Sequence, residues 1–148
     1  HYFLFEVTCM NPFTFYFAAR WCYLHHLKIF AVIIHYFSFL VFHNWIPYTA
    51  EIGKGTRASG KATGIYIHAR CKIGKNCIIA HQVSMGGRSR QYNVPVLGDE
   101  VFVGVGAKIM GDVHVGDNVV IGVNAVVVKD VESGCIVGGV PAKILKMK

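Results

Sequence analysis

A chain of 148 residues suits one repeat domain plus a short extra element. Its apolar content of 53% is above that of an ordinary soluble domain, and the excess lies before residue 47. The formal net charge of +7 is not gathered into basic clusters interleaved with aromatic platforms, so no nucleic-acid partner is expected.

Residues 1–46 carry no repeat and read as an N-terminal helical segment. Asn11-Pro12 opens a helix, with Pro12 in the first turn, where a missing N–H costs little. From Ile29 to Ile46 the chain reads IFAVIIHYFSFLVFHNWI, interrupted by His35, Ser38, His43 and Asn44. Three readings stay open for 29–46: a helix packed on the rest of the chain or between subunits, a membrane-surface contact, or a spanning helix of borderline length. His35 and His43 could share a face and are expected to be satisfied polar groups rather than ligands. No small-residue cleavage motif follows the apolar run, so no secretory signal is expected. The five cysteines at 9, 22, 71, 77 and 135 include no C-x-x-C pair. Their odd number fits a reducing compartment, and no zinc or other metal site is expected. The expected location is the cytoplasm, with or without contact at the inner face of a membrane.

From residue 47 to 148 the pattern changes. Ile67, Ile73, Ile79 and Met85 form one six-residue series, and Leu97, Val103, Ile109, Val115, Ile121 and Val127 form another; Ile46 and Ile52 anticipate it. Four residues after each anchor stands a small or β-branched residue, including Ala50, Thr56, Cys71, Cys77, Val83, Ala107, Val113, Ala125 and Val131. A period of six fits neither an amphipathic helix nor a simple strand. It predicts an all-β parallel β-helix whose coils bury the same positions in turn. Cys71 and Cys77 are then buried small hydrophobes. Glycines directly after anchors are read as corner residues with unusual φ/ψ. Between Met85 and Leu97 the pacing breaks, which marks 86–96 as a projecting loop and, as such, a place where function concentrates.

Several blocks carry a detailed resemblance: VSMGGR at 83–88, VGVGAKIMGDV at 103–113, VGDNVVIGVNAVVVKDV at 115–131 and GGVPAKI at 138–144. In these the chain resembles the hexapeptide-repeat acyltransferases, most closely the serine acetyltransferases and the related polysaccharide-biosynthesis acetyltransferases. The resemblance implies a left-handed β-helix with three hexads per coil, assembled as a homotrimer. It implies acetyl-CoA as donor and a hydroxyl of serine or a sugar as acceptor, with no metal. It places the donor in the groove between subunits, along Gly86, Gly87, Gly104, Gly106, Ala107, Gly122 and Ala125, with Lys129 and Lys143 near its phosphates. It makes Arg88, Arg90, Gln91, Tyr92 and Asn93 of the loop candidate contacts to acceptor or donor.

Acyl transfer to a hydroxyl needs a general base and donors for the developing oxyanion. The serine acetyltransferase pattern places a histidine just before Ala-Thr-Gly, where this chain has Lys61. It places another late in the loop, where this chain has Asn93 and Val94, and an aspartate near Trp45. A lysine base at 61 would require burial. His81, then His68, are therefore the candidate bases, and His114 ranks below them. The apolar segment and these departures favour a sugar acceptor over serine. A separate class of reading is a catalytically impaired trimeric subunit that binds acyl-CoA or serves as a scaffold.

Overall fold

The computed structural model describes residues 10–148; Cys9 and the first part of the 1–46 segment lie outside them. Helix α1 (Pro12–Leu24) begins as the Asn-Pro pair predicts: Asn11 is its N-cap, and its side-chain Oδ1 accepts from Phe13 N–H at 3.0 Å. Helix α2 (Lys28–Phe42) ends at His43, which adopts the left-handed conformation with φ 54°. Short strands follow: β1 (Glu51–Ile52), β2 (Arg57–Ala58), β3 (Tyr66–Ile67), β4 (Lys72–Ile73), β5 (Ile78–Ile79), β6 (Ser84–Gly86), β7 (Val96–Leu97), β8 (Phe102–Val103), β9 (Lys108–Met110), β10 (His114–Val115), β11 (Val120–Ile121), β12 (Val126–Val127), β13 (Cys135–Gly138) and β14 (Lys143–Met147).

They stack into three parallel columns, β1-β4-β7-β10, β2-β5-β8-β11-β13 and β3-β6-β9-β12, which make the three walls of a left-handed β-helix. Where the beat is unbroken, equivalent residues recur every eighteen positions, as Asp99 and Asp117 do, which is three hexads per coil. Across the 86–96 loop the step is 24, from Lys75 to Asp99. A second irregularity escaped the sequence reading: Thr56 to Cys77 is a step of 21, because residues 59–65 carry three extra positions. Near the C-terminus the step shrinks to 16, from Asp117 to Ser133, so Val131 bridges Val115 rather than filling a small slot.

All the anchors and small residues point inward. Ile67, Ile79, Met85, Val103, Ile109 and Ile121 are completely excluded from solvent, as are Cys71, Cys77, Val83, Ala107, Val119 and Ala125. Burial pushes the Cys71 thiol up to about 11 and raises that of Cys77, so both stay protonated and unreactive.

The glycines after the anchors do a different job from the one expected. Gly53, Gly74, Gly98 and Gly116 do not have positive φ; they stack on one another along one edge. A Cβ on Gly53 would lie 2.6 Å from the Gly74 carbonyl carbon, and one on Gly74 would collide with the backbone of Gly98. The left-handed residue of each turn comes two positions later, at Gly55, Asn76, Glu100 and Asn118. A side-chain ladder ties this edge together: Lys75 N–H donates to Asp99, Asp99 N–H to Asp117, and Asp117 N–H to Ser133, at 2.7, 2.7 and 2.9 Å.

An open coil end exposes unpaired strand edges, which need covering. Helix α1 covers this one with polar side chains. Asn11 both donates to Ala58 O and accepts from Ala58 N–H. The Tyr16 hydroxyl donates to Ala50 O at 2.6 Å and accepts from Ile52 N–H at 3.1 Å. Arg20 reaches the carbonyls of Tyr48 and Ala50 at 3.0 and 2.8 Å. Burial pushes the Tyr16 phenol up to about 12, so it remains a donor. At the other end β14 closes antiparallel on β13, and GGVPAKI forms the turn between them.

Among the described residues no helix is long and apolar enough to cross a membrane, which removes the spanning reading of 29–46. Helix α2 buries Ala31, His35 and Phe42 and leaves Ile29, Phe30, Ile33, Phe37 and Leu40 exposed. His35 packs edge-on to Trp45, ring centroids 4.8 Å apart, and near Tyr48. Burial holds its imidazole below the ordinary value near 6.5, against a backbone hydrogen bond at Ile46 that acts the other way. The folded state then binds fewer protons than the unfolded one, so stability is full above pH ~6.5 and falls on acidification through and below that value. Trp45 fluorescence and thermal unfolding should both report loosening of α2 in mildly acidic buffer, and His35→Gln should flatten that dependence.

Candidate functional site

The two breaks in the beat place the side chains that a regular coil would not. The first is the bulge at 59–65, which connects β2 to β3. Asn44, buried just before the coil begins, holds it from inside: its Nδ2 donates to Ala62 O and its Oδ1 accepts from Ile65 N–H, both at 2.8 Å. Ala62 and Ile65 are drawn into the core, while Lys61, Thr63 and Gly64 face outward. Lys61 is exposed, and the burial a lysine base requires is not there.

The same edge of the β-helix continues through the turns after β5, β8 and β11. His81 lies in the first of these, and its Nδ1 accepts from Thr63 N–H at 3.3 Å. Exposed Val105 and Val123 occupy the next two. The backbone N–H groups of Gly104, Gly106 and Gly122 are donated to Ile121, His81 and Val137 within the coil. Ala107 and Ala125 point inward and are completely buried. These five residues therefore shape the edge but offer a ligand neither a free amide nor, for the alanines, a side chain; the two valines, inside the same 104–107 and 122–125 stretches, offer apolar contact. Lys129 follows β12 and Lys143 opens β14, both exposed.

The second break, the loop after β6, folds back over the β1-β4-β7-β10 wall. Its base is set by buried Val94 and Pro95. Arg88 packs across Gly111, where a Cβ would lie 2.7 Å from Arg88 Cδ. Arg90 takes positive φ at the tip, 67°. Asn93 Nδ2 donates to Asp112 Oδ2 at 3.0 Å. Tyr92 is held by Arg70, whose guanidinium sits 4.0 Å from the ring centroid and donates to Tyr92 O at 2.6 Å. Arg70, in the turn between β3 and β4, was not singled out by the hexad pattern. Gly86 is buried at the end of β6, and Gly87 begins the loop.

His68 sits at the loop edge, in the same turn as Arg70, and its Nδ1 accepts from Arg70 N–H at 3.2 Å. His68 and His81 thus stand at different edges and do not form one constellation. In each, the ring nitrogen Nδ1 accepts, so the neutral imidazole carries its proton on Nε2. In this arrangement Nε2 is a donor, a polarity that suits holding a carbonyl or developing oxyanion. Among the described residues no group of three or more His, Cys, Asp or Glu is placed to hold a metal.

Comparisons with known proteins agree with this architecture. Residues 95–129 match the family described as bacterial transferase hexapeptide (six repeats). The chain is 33% identical to a serine acetyltransferase of Synechococcus elongatus over 129 residues, 86% of this chain and 52% of that protein. Among solved structures, serine acetyltransferase of Brucella abortus in complex with coenzyme A superposes with a TM-score of 0.85 at 30% identity, covering 92% of this chain and 55% of the other. That of Neisseria gonorrhoeae gives 0.83 at 31% identity, covering 92% and 54%. The chain spans about half the length of these proteins. The relatives named here carry serine, not a sugar, in their names.

Proposed function

We propose that this chain, a left-handed hexapeptide-repeat β-helix resembling the serine acetyltransferases, is an acetyl-CoA-dependent O-acetyltransferase working as a homotrimer. The observation that carries the reading is the superposition of nine-tenths of the chain on a coenzyme A-bound structure of that kind. The acceptor best supported is the hydroxyl of serine, from the names of the relatives, and the sugar acceptor favoured by the sequence has no such support. The donor lies in the groove between subunits, its pantetheine arm along the edge carrying Val105 and Val123. Tyr66, Phe102, Val105 and Val123, outward-facing and exposed in a single chain, supply apolar surface for subunit contact and ligand. His81 and His68 act as Nε2–H donors to oxygen. Arg88, Arg90, Tyr92 and Asn93 in the loop bound the acceptor.

Lys129 and Lys143 meet the nucleotide phosphates. The Lys129→Ala, Lys143→Ala double variant should weaken acetyl-CoA binding about tenfold, as loss of charge-assisted contacts implies. An acetyl-pantetheine donor, which lacks those phosphates, should bind both proteins equally. The reading as a whole is tested by calorimetric titration with acetyl-CoA, thiol release on adding L-serine, and light scattering. Acetyl-CoA binding, serine-dependent thiol release and a trimer mass are expected. Binding without thiol release on any hydroxylated acceptor would return the chain to the acyl-CoA-binding scaffold.

A further inference from the structure

Helix α2 is built inside out. Its packed side carries Ala31, His35, half-buried Ser38 and Phe42, while Ile29, Phe30, Ile33, Phe37, Leu40 and Val41 face away from the protein. Ile29 and Leu40 are 76% and 71% exposed. At about 100° per residue, the exposed side chains run from Phe39 round to Val41 and sweep about 200° of the helix. On that arc the Tyr36 hydroxyl is the single polar side-chain group. A helix facing water would turn the other way. Instead His35 is spent on Trp45 and Tyr48, and Phe15 of α1 fixes the orientation, its ring 5.8 Å from Phe37 and 5.6 Å from Phe42.

Polarity and charge say what kind of surface covers this arc. Even homodimer interfaces are only about 65% apolar and are threaded with hydrogen bonds. The arc offers a protein partner almost no donor or acceptor, whereas hydrocarbon asks for none. No Asp or Glu lies between Met10 and Glu51, while Arg20 and Lys28 do. Lys28 is exposed in the first turn of α2, where a helix ordinarily favours an acidic residue. Exposed Trp21 on α1 and Tyr36 on α2 are the amphipathic aromatics that settle at headgroup level. An apolar arc, a cationic flank without acids and interfacial aromatics together complement an anionic bilayer surface. At 15 residues α2 is too short to cross a bilayer and would lie in the interface plane.

We propose that the outer face of α2 docks this protein on the surface of an anionic phospholipid bilayer, with the apolar arc among the acyl chains and Lys28 at the lipid phosphates. Helix α1, hydrogen-bonded across the open coil end through Asn11, Tyr16 and Arg20, joins α2 to the β-helix. The β-helix then meets the membrane by its first coil.

The test is co-sedimentation of the full chain with vesicles of phosphatidylglycerol and phosphatidylethanolamine, and in parallel with phosphatidylcholine vesicles. Partition to the anionic vesicles should be at least about fivefold stronger. The Ile33→Asp, Leu40→Asp double variant should lower it more than about tenfold, and Lys28→Glu about fivefold. All three residues are exposed, so thermal unfolding and light-scattering mass should match the parent. If the double variant unfolds, Lys28→Glu decides alone, and unchanged binding by it overturns the proposal. Absence of sedimentation with anionic vesicles overturns it, as does equal binding to both kinds of vesicle. A parent of larger mass than the folded double variant assigns the face to a second copy of the chain and overturns it too.

Discussion

Gly74→Ala should destabilise the protein by about 3 kcal/mol, a loss of roughly 10 °C in Tm for a chain of this length. The residue lies in ordinary backbone space, so no φ/ψ preference explains the cost. A methyl there has no volume to enter: it meets the carbonyl carbon and oxygen of Gly98, a neighbouring coil's backbone, and Asp99 Oδ1 beside them. Backbone atoms cannot swing aside as a long side chain can, so the coil spacing itself must open. The Lys75–Asp99 hydrogen bond lies at the same edge and should weaken with it. Gly86→Ala is the control, because its new Cβ would lie 3.7 Å from Met110 Cε, an ordinary contact with a flexible side chain. It should change stability by no more than about 0.5 kcal/mol. Equal effects of the two substitutions in thermal unfolding would show that close stacking does not set the spacing.

Asn44→Ala should cost about 2–4 kcal/mol, because it strands a buried carbonyl at Ala62 and a buried N–H at Ile65 together. The damage should be local before it is global. Amide exchange at Ile65 should accelerate well ahead of exchange in β8 or β11, whose amides remain paired within the coil. The bulge also supplies the Thr63 N–H that sets the His81 ring, so the variant should disturb His81's tautomer as well as stability. Uniform acceleration across the coil would instead mean that Asn44 stabilises the whole fold without defining the bulge.

The repeat was legible because one physical demand recurs: each coil must fill the same interior slot. Ile67 and Cys71 can be assigned without coordinates, since only a buried column accounts for their spacing. The edges were harder. Glycine after an anchor looked like a conformational requirement, and only the stacked coils reveal it as a requirement for closeness. The 59–65 bulge was hidden because Ala58 is a weak anchor, and the shift it introduces looks like an irregular start. Asn11 could be read as a helix opener, but its bonds to Ala58 and those of Asn44 to Ala62 and Ile65 could not, since they act on backbone far away in sequence. Ring polarity was beyond the sequence, because it depends on which backbone N–H happens to face Nδ1.

The capped ends carry a consequence for the molecule's life outside the fold. A stack of parallel coils has the same hydrogen-bonding rhythm at its last rung as at its first, so two bare ends would join as readily as two neighbouring rungs do. Asn11, Tyr16 and Arg20 occupy one set of rungs from a helix, and β14 runs backwards across the other. These features act as stop signs against end-to-end growth. A protein that lost its helical hairpin would therefore risk becoming the monomer of a filament.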